Sequence, residues 1–158
     1  MHTDLLGKLI SNLLSLEFVL RAFLYEHSDP PHNPLPRGLS LNVLKIGDVV
    51  PENAMTDFSS LGHLINRYND VISRRHPNLA VDRTIVELRD ALAHGRVSST
   101  DAASDPFLLK FERPGGCKTR VTYSQQLTQE WLREQCNWVR EEATKVSEAI
   151  GSPDVTGM

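Results

Sequence analysis

Apolar residues recur at helical spacing through the first part of the chain and predict one long helix, from about Thr3 to His27. The residues of its predicted inner face are Leu6, Leu9, Ile10, Leu13, Leu20 and Leu24, widened by Leu16, Val19 and Phe23. Polar and charged residues such as Lys8 and Glu17 interrupt the run, so the pattern is not that of a membrane-spanning helix. We therefore expect a central member of a helical bundle, or a helix that also packs against a second subunit.

A second apolar stripe predicts a helix from Thr56 or Asp57 to Arg75, with either of the first two residues as its cap. The residues of this stripe are Phe58, Leu61, Leu64, Ile65, Tyr68 and Ile72. Pro77 and Asn78 follow in a short turn. Because the connection is short, we expect the next helix to be the antiparallel neighbour of this one.

The third helix starts at that turn and carries its apolar residues at i, i+4, i+7 and i+11, namely Val81, Ile85, Leu88 and Leu92. Gly95 follows the last turn, where a glycine commonly adopts a left-handed conformation and ends a helix. We therefore predict a left-handed cap at Gly95.

Alternating apolar residues then predict a β-hairpin, with strands at 107–112 and 118–123 around a turn at 113–116. Phe107, Leu109 and Phe111 share one face of the first strand, and Val121 and Tyr123 share one face of the second. A last helix opens near Ser124 or Thr128, with the stripe Leu132, Cys136, Val139, Ala143, Val146 and Ile150. The predicted fold is mostly α: a bundle of four or five helices with one small β-hairpin before the last helix. We expect a single domain over residues 1–150 and a frayed tail over 151–158.

Composition is ordinary for a globular protein, with 40% hydrophobic and 23% charged residues among 158. Cys117 and Cys136 lie in different contexts without a CxxC spacing, which favours a reducing cytoplasm over a disulfide framework. We expect no metal site and no cofactor, because no ligand spacing typical of either occurs. The net charge is −3, yet residues 67–120 hold ten Lys and Arg against seven Asp and Glu. This third of the chain is therefore where a phosphate-binding surface is expected, although a chance cluster explains the charge equally well.

Arg89, Asp90 and His94 lie together at the end of the third predicted helix. An arginine binds phosphate oxygens through two hydrogen bonds, and a histidine transfers protons near neutral pH. Asp90 and His94 are neighbours on the polar side of the helix, whereas Arg89 and His94 are about 140° apart. They can act on one atom if the last turn unwinds at Gly95 or if a second copy of the helix faces the first. The alternative is purely structural, with Arg89 covering the edge of the core and Asp90 paired with His94 on the surface.

Other basic residues add candidate RNA contacts. Arg83 lies near the motif on the same helix, Arg96 directly follows it, and Arg74 and Arg75 end the preceding helix. A role of Arg74 and Arg75 in stabilising the end of that helix explains them as well. The hairpin is also basic, through Lys110, Arg113, Lys118 and Arg120. It is either a second contact for RNA or an ordinary solvated hairpin.

The string from Leu88 to Val97, LRDALAHGRV, resembles the R-x(4–6)-H motif of the HEPN superfamily, in which a polar residue often follows the arginine, as Asp90 does here. The resemblance implies a helical bundle that dimerises with the two motifs facing each other. In many members it also implies a metal-independent endoribonuclease, which here would use Arg89, Asp90 and His94 as catalytic residues.

Further expectations depend on this resemblance alone. It implies a cytoplasmic homodimer that cleaves RNA as a toxin or phage-defence effector, with a cognate antitoxin such as a nucleotidyltransferase as partner. Some members have lost catalysis, so the alternative is a non-catalytic module that binds a partner protein or a nucleotide.

Overall fold

The computed structural model describes residues 2–27, 34–36, 39–74, 76–99, 101, 104–113 and 115–152. Over these residues the helices are α1 His2–His27, α2 Leu61–Ile72, α3 Ile85–His94 and α4 Gln129–Gly151, and the strands are β1 Arg96–Ser98, β2 Phe107–Phe111 and β3 Val121–Gln126. Short 3-10 turns occur at Leu41–Val43 and Pro77–Leu79. The predicted class is confirmed, since the chain is mostly helical with a small antiparallel sheet before the last helix. Of the predicted tail, Gly151 ends α4 and residues 153–158 lie outside the described part.

The chain forms two compact units, one from Met1–Ser15 and Asp82–Glu142 and the other from Leu16–Val81 and Ala143–Met158. In the described residues no helix is both long enough and apolar enough to cross a membrane.

The first unit contains α3, the sheet, the start of α1 and most of α4. Asn12 Nδ2 donates a hydrogen bond of 2.9 Å to the carbonyl oxygen of Cys136, whose own thiol is buried. Burial raises the pKa of the Cys136 thiol. On α4 the Glu142 carboxylate is also buried and accepts a hydrogen bond of 3.0 Å from the backbone N–H of Asp82, just before α3. The first of these bonds joins α1 to α4, and the second joins α4 to the segment that leads into α3.

The second unit packs the rest of α1 against α2. The Phe23 ring meets the ring of Tyr68 edge to face at 4.8 Å, and both side chains are fully buried. The Arg21 guanidinium donates to the carboxylates of Glu17 and Asp57 and to the carbonyl oxygens of Ala54, Asp57 and Ser59. Burial alone would raise the pKa of Asp57, but hydrogen bonds from the Ser59 N–H and from Arg21 lower it overall.

The predicted start of the second helix is wrong. The helix begins at Leu61, after Ser60, whose hydroxyl accepts from the His63 N–H at 3.3 Å. Thr56 and Asp57 instead bond to local backbone, because short polar side chains compete with helix formation. Phe58, predicted to be buried, is consequently fully exposed. The helix also ends at Ile72 rather than at residue 75.

The sheet has three strands in the order β1-β2-β3, all antiparallel. The hairpin of β2 and β3 was predicted, whereas β1, formed directly after α3, was not. Lys110 pairs with Tyr123 and Phe111 pairs with Val121, so the register shifts by one residue between the pairs. Val121 and Tyr123 therefore point to opposite faces, contrary to the prediction, because a bulge inserts one extra residue between them.

Candidate functional site

The helix that carries the motif begins later than predicted. The Pro77–Leu79 turn is separate from it, and the Asp82 carboxylate accepts hydrogen bonds from the N–H and hydroxyl of Thr84, one residue before Ile85. Ile85, Leu88 and Ala91 form its buried face, and Leu92 is only half-buried. This packing leaves Arg89 and Asp90 at the edge of the buried face.

Gly95 ends the helix in a different way from the one predicted. Its backbone is extended, with φ −77° and ψ 175°, and its N–H donates to the carbonyl oxygen of Ala91 at 2.7 Å before the chain enters β1. A Cβ at this position would lie 2.3 Å from the Ala91 carbonyl oxygen, 2.7 Å from Leu108 Cδ1 and 3.1 Å from the Leu109 carbonyl oxygen. Glycine is required here because a Cβ would collide with the last turn of α3 and with β2, which crosses close to it, and not because of a left-handed conformation.

Asp90 is held between two cations. Its Oδ1 lies 3.2 Å from Arg89 Nη1, and its Oδ2 lies 3.7 Å from Lys110 Nζ on β2. All three side chains remain accessible to solvent, with between 29% and 38% of each side chain exposed. The cluster therefore carries one net positive charge on the surface of the first unit, and the Asp90 carboxylate contacts both cations.

His94 occupies the last turn of α3 and is exposed. The helix is regular through this residue, so Arg89 and His94 project about 140° apart and are separated by about 7.5 Å along the axis. The proposed unwinding at Gly95 does not occur. Within the described residues no ion pair joins His94 to Asp90, and the carboxylate is directed to Arg89 and Lys110 instead. One copy of α3 therefore does not aim Arg89 and His94 at the same atom.

Tyr123 lies on the same face of the sheet as Lys110, its partner in the β2–β3 register. Burial raises the pKa of Tyr123, and the negative charge of Glu87 on α3 raises it further. The phenol is therefore neutral at physiological pH and can donate a hydrogen bond.

The other residues that were predicted to contact RNA do not all lie beside the motif helix. Arg83 is exposed in the turn that precedes α3, and Arg96 is exposed on β1 with its guanidinium carbon 5.3 Å from the centre of the Phe111 ring. Arg74 is exposed just after α2 and belongs to the second unit, and Arg75 lies outside the described residues. Arg83 and Arg96 are thus the two of these residues that flank the motif helix in its own unit.

In this arrangement the Arg89 guanidinium and the Lys110 ammonium group can bind an anion. The exposed His94 imidazole can transfer a proton. In the part of the chain that the structure describes, no three His, Cys, Asp or Glu side chains come together as ligands for a metal ion. From the sequence, Lys110 could be recognised only as a basic residue of the predicted hairpin, and Tyr123 only as a residue of its second strand. Their position beside Asp90 and Glu87 depends on how the sheet packs on α3, for which the sequence carries no local signal.

No protein-family model, no curated protein and no solved structure matches this chain. The resemblance to the HEPN superfamily therefore depends on the sequence motif from Leu88 to Val97.

Proposed function

We propose that this protein is a metal-independent endoribonuclease of HEPN type that acts as a homodimer. The observation that carries the proposal is the joint exposure of Arg89 and His94 at the end of a regular helix, with the Asp90 carboxylate orienting the arginine. Since one helix directs these two side chains about 140° apart, we place Arg89 of one copy and His94 of the other at a single RNA phosphate.

Each residue has a defined role in this proposal. Arg89 donates hydrogen bonds to the non-bridging oxygens of the scissile phosphate and stabilises the charge that develops on them. His94 either takes the proton from the ribose 2′-OH or gives one to the leaving 5′ oxygen. The 2′ oxygen bonds to phosphorus as the bond to the 5′ oxygen breaks, which yields a 2′,3′-cyclic phosphate and a 5′-hydroxyl. Asp90 holds the guanidinium through Nη1 and leaves its remaining N–H groups for the phosphate.

The biological setting is part of the same proposal. Following the resemblance, we propose a cytoplasmic toxin or phage-defence effector that a cognate antitoxin, such as a nucleotidyltransferase, silences. Cys117 is exposed and Cys136 is buried, and both are free thiols, as a reducing compartment permits.

Cleavage of a labelled RNA pool in the presence of EDTA tests the activity. We expect the native protein to cut, and Arg89→Ala or His94→Ala to lower the rate by about 10²- to 10³-fold, the range for lost transition-state donors and general acid–base groups. His63→Ala and Arg133→Ala are matched controls, because both residues are exposed on other helices, α2 and α4.

Two results would contradict the proposal. If the native protein cuts no RNA but binds a nucleotide or a partner protein, the non-catalytic alternative replaces it. If the Arg89 and His94 variants cut as fast as the two controls, the motif is not the catalytic site.

A further inference from the structure

The turn between β2 and β3 contains a cleft of about 360 Å³ that the motif does not use. The lining residues are Glu112, Arg113, Gly115, Lys118, Thr119 and Arg120. Backbone pairing shapes the cleft, because the Glu112 N–H donates to the Arg120 carbonyl oxygen at 3.0 Å and the Thr119 hydroxyl donates to the Glu112 carbonyl oxygen at 2.9 Å. Gly116, with φ +89°, allows the chain to turn at its far end.

Three cationic side chains line this cleft. Arg113, Lys118 and Arg120 are all exposed, and none of them forms an ion pair with a carboxylate among the described residues. Even with the nearby Glu112 counted, the cleft carries two net positive charges in a chain whose net charge is −3. Such a local excess of positive charge attracts anions, phosphates in particular.

The cleft lies just beyond the end of β2, the strand that carries Lys110 of the motif cluster. Lys110, which pairs with Asp90, precedes Arg113 by three residues along β2 and the start of the turn. At the rise of an extended chain this separation is at most about 10 Å. A nucleic acid backbone that reaches Lys110 therefore passes within reach of the cleft.

We infer that the cleft binds backbone phosphates of single-stranded RNA on one side of the bond that is cut. This inference rests on the proposed function and adds to it a separate subsite for the flanking strand. The contacts are made to phosphates, so they increase affinity and set the orientation of the strand without reading its sequence.

The test measures binding of an uncleavable 2′-O-methyl RNA of about 20 nucleotides, long enough to span both sites, as a function of salt concentration. The variant Arg113→Gln/Lys118→Gln/Arg120→Gln removes the three charges. Its matched control, Lys8→Gln/Arg133→Gln/Arg140→Gln, removes three charges from the exposed surfaces of α1 and α4.

Because each phosphate contact to a single strand contributes about 0.7 to the slope of log K against log salt, we expect the hairpin variant to lose a slope of about 2 and the control to lose almost none. The variant Arg113→Lys/Arg120→Lys keeps the charges and is expected to keep the slope. Thermal unfolding of all three variants verifies that they fold.

The outcomes separate the inference from the proposed function. If the native protein binds and cuts RNA but the hairpin variant keeps the full slope, the subsite is wrong and the nuclease stands. If the slope falls as expected but the native protein never cuts, the nuclease is wrong and the RNA-binding cleft stands. If the native protein does not bind RNA, both are wrong.

Discussion

Replacement of Gly95 by alanine tests how α3 ends and meets the sheet. The added Cβ would lie 2.3 Å from the Ala91 carbonyl oxygen and 2.7 Å from Leu108 Cδ1. The first contact is with backbone, which cannot move without disturbing either the last turn of α3 or the pairing of β1 with β2. The substitution therefore introduces a steric clash at the residue directly after His94.

The expected loss of stability follows from three contributions. Overpacking of a tight site costs about 1–3 kcal/mol, and a weakened bond from the Gly95 N–H to Ala91 costs about 0.5–1.5 kcal/mol more. Alanine returns about 0.4–1 kcal/mol, because it restricts the unfolded chain. We expect a net loss of about 2 kcal/mol in the free energy of unfolding, or about 4–8 °C in the melting temperature for a chain of this size.

Urea unfolding of three variants measures this effect and distinguishes its cause. Gly7→Ala is the control, because a Cβ at this exposed position of α1 meets nothing within 4 Å, and we expect a gain of about 0.5–1 kcal/mol. Gly95→Asn separates crowding from a left-handed cap, since asparagine tolerates the left-handed conformation but is larger than alanine. If Gly95→Ala is as stable as the native protein, or if Gly95→Asn is more stable than Gly95→Ala, the crowding argument is wrong.

The remaining predictions concern three polar contacts. Arg21→Met is expected to lower the free energy of unfolding by about 2–3 kcal/mol at pH 7, because among the described residues it leaves the partly buried Asp57 carboxylate with only the Arg67 guanidinium, 3.6 Å away, as a cation. Since the folded-state pKa of Asp57 is lowered, that loss should shrink as the pH falls through this pKa, and equal losses at pH 7 and pH 3 in urea unfolding would refute it. Glu142→Leu should cost about 1–3 kcal/mol in the same assay by removing the acceptor of the Asp82 N–H, and Glu142→Gln should cost less. Lys110→Met should change the free energy of unfolding by less than about 1 kcal/mol, because the pair of Lys110 with Asp90 is on the surface. It should nevertheless lower RNA cleavage, and Lys110→Arg should restore cleavage. Unchanged cleavage by the Lys110→Met variant would show that Lys110 is not part of the site.

The long helices could be predicted from the sequence because their apolar stripes are long. The first was expected at about Thr3 to His27 and occupies His2–His27. The last was expected near Ser124 or Thr128, and it begins at Gln129 with the Thr128 hydroxyl accepting from the Trp131 N–H at 3.1 Å. The orientation of the first helix was less well predicted, since Ile10 was assigned to its inner face and is 44% exposed. The helix carries apolar residues on most of its circumference, so periodicity alone does not show which of them are buried.

The site was predictable in its residues but not in its contacts. Arg89, Asp90 and His94 were identified from the motif. The structural alternative paired Asp90 with His94, whereas among the described residues Asp90 pairs with Arg89 and Lys110. Lys110 lies 20 residues further along the chain, and only the packing of β2 against α3 brings it to Asp90. Crowding by the Ala91 carbonyl oxygen and by β2, rather than a left-handed cap, explains the glycine that follows His94.

Mixing inactive variants tests most directly whether two copies build the catalytic site. Arg89→Ala and His94→Ala are each purified, mixed in equal amounts under conditions that allow subunits to exchange, and assayed for RNA cleavage with EDTA present. In a dimer of one copy of each, one of the two sites regains both Arg89 and His94, so we expect about a quarter of the native rate from a random mixture. Cleavage by the mixture that stays as low as that of either variant alone, with exchange demonstrated, would contradict a site shared between two copies.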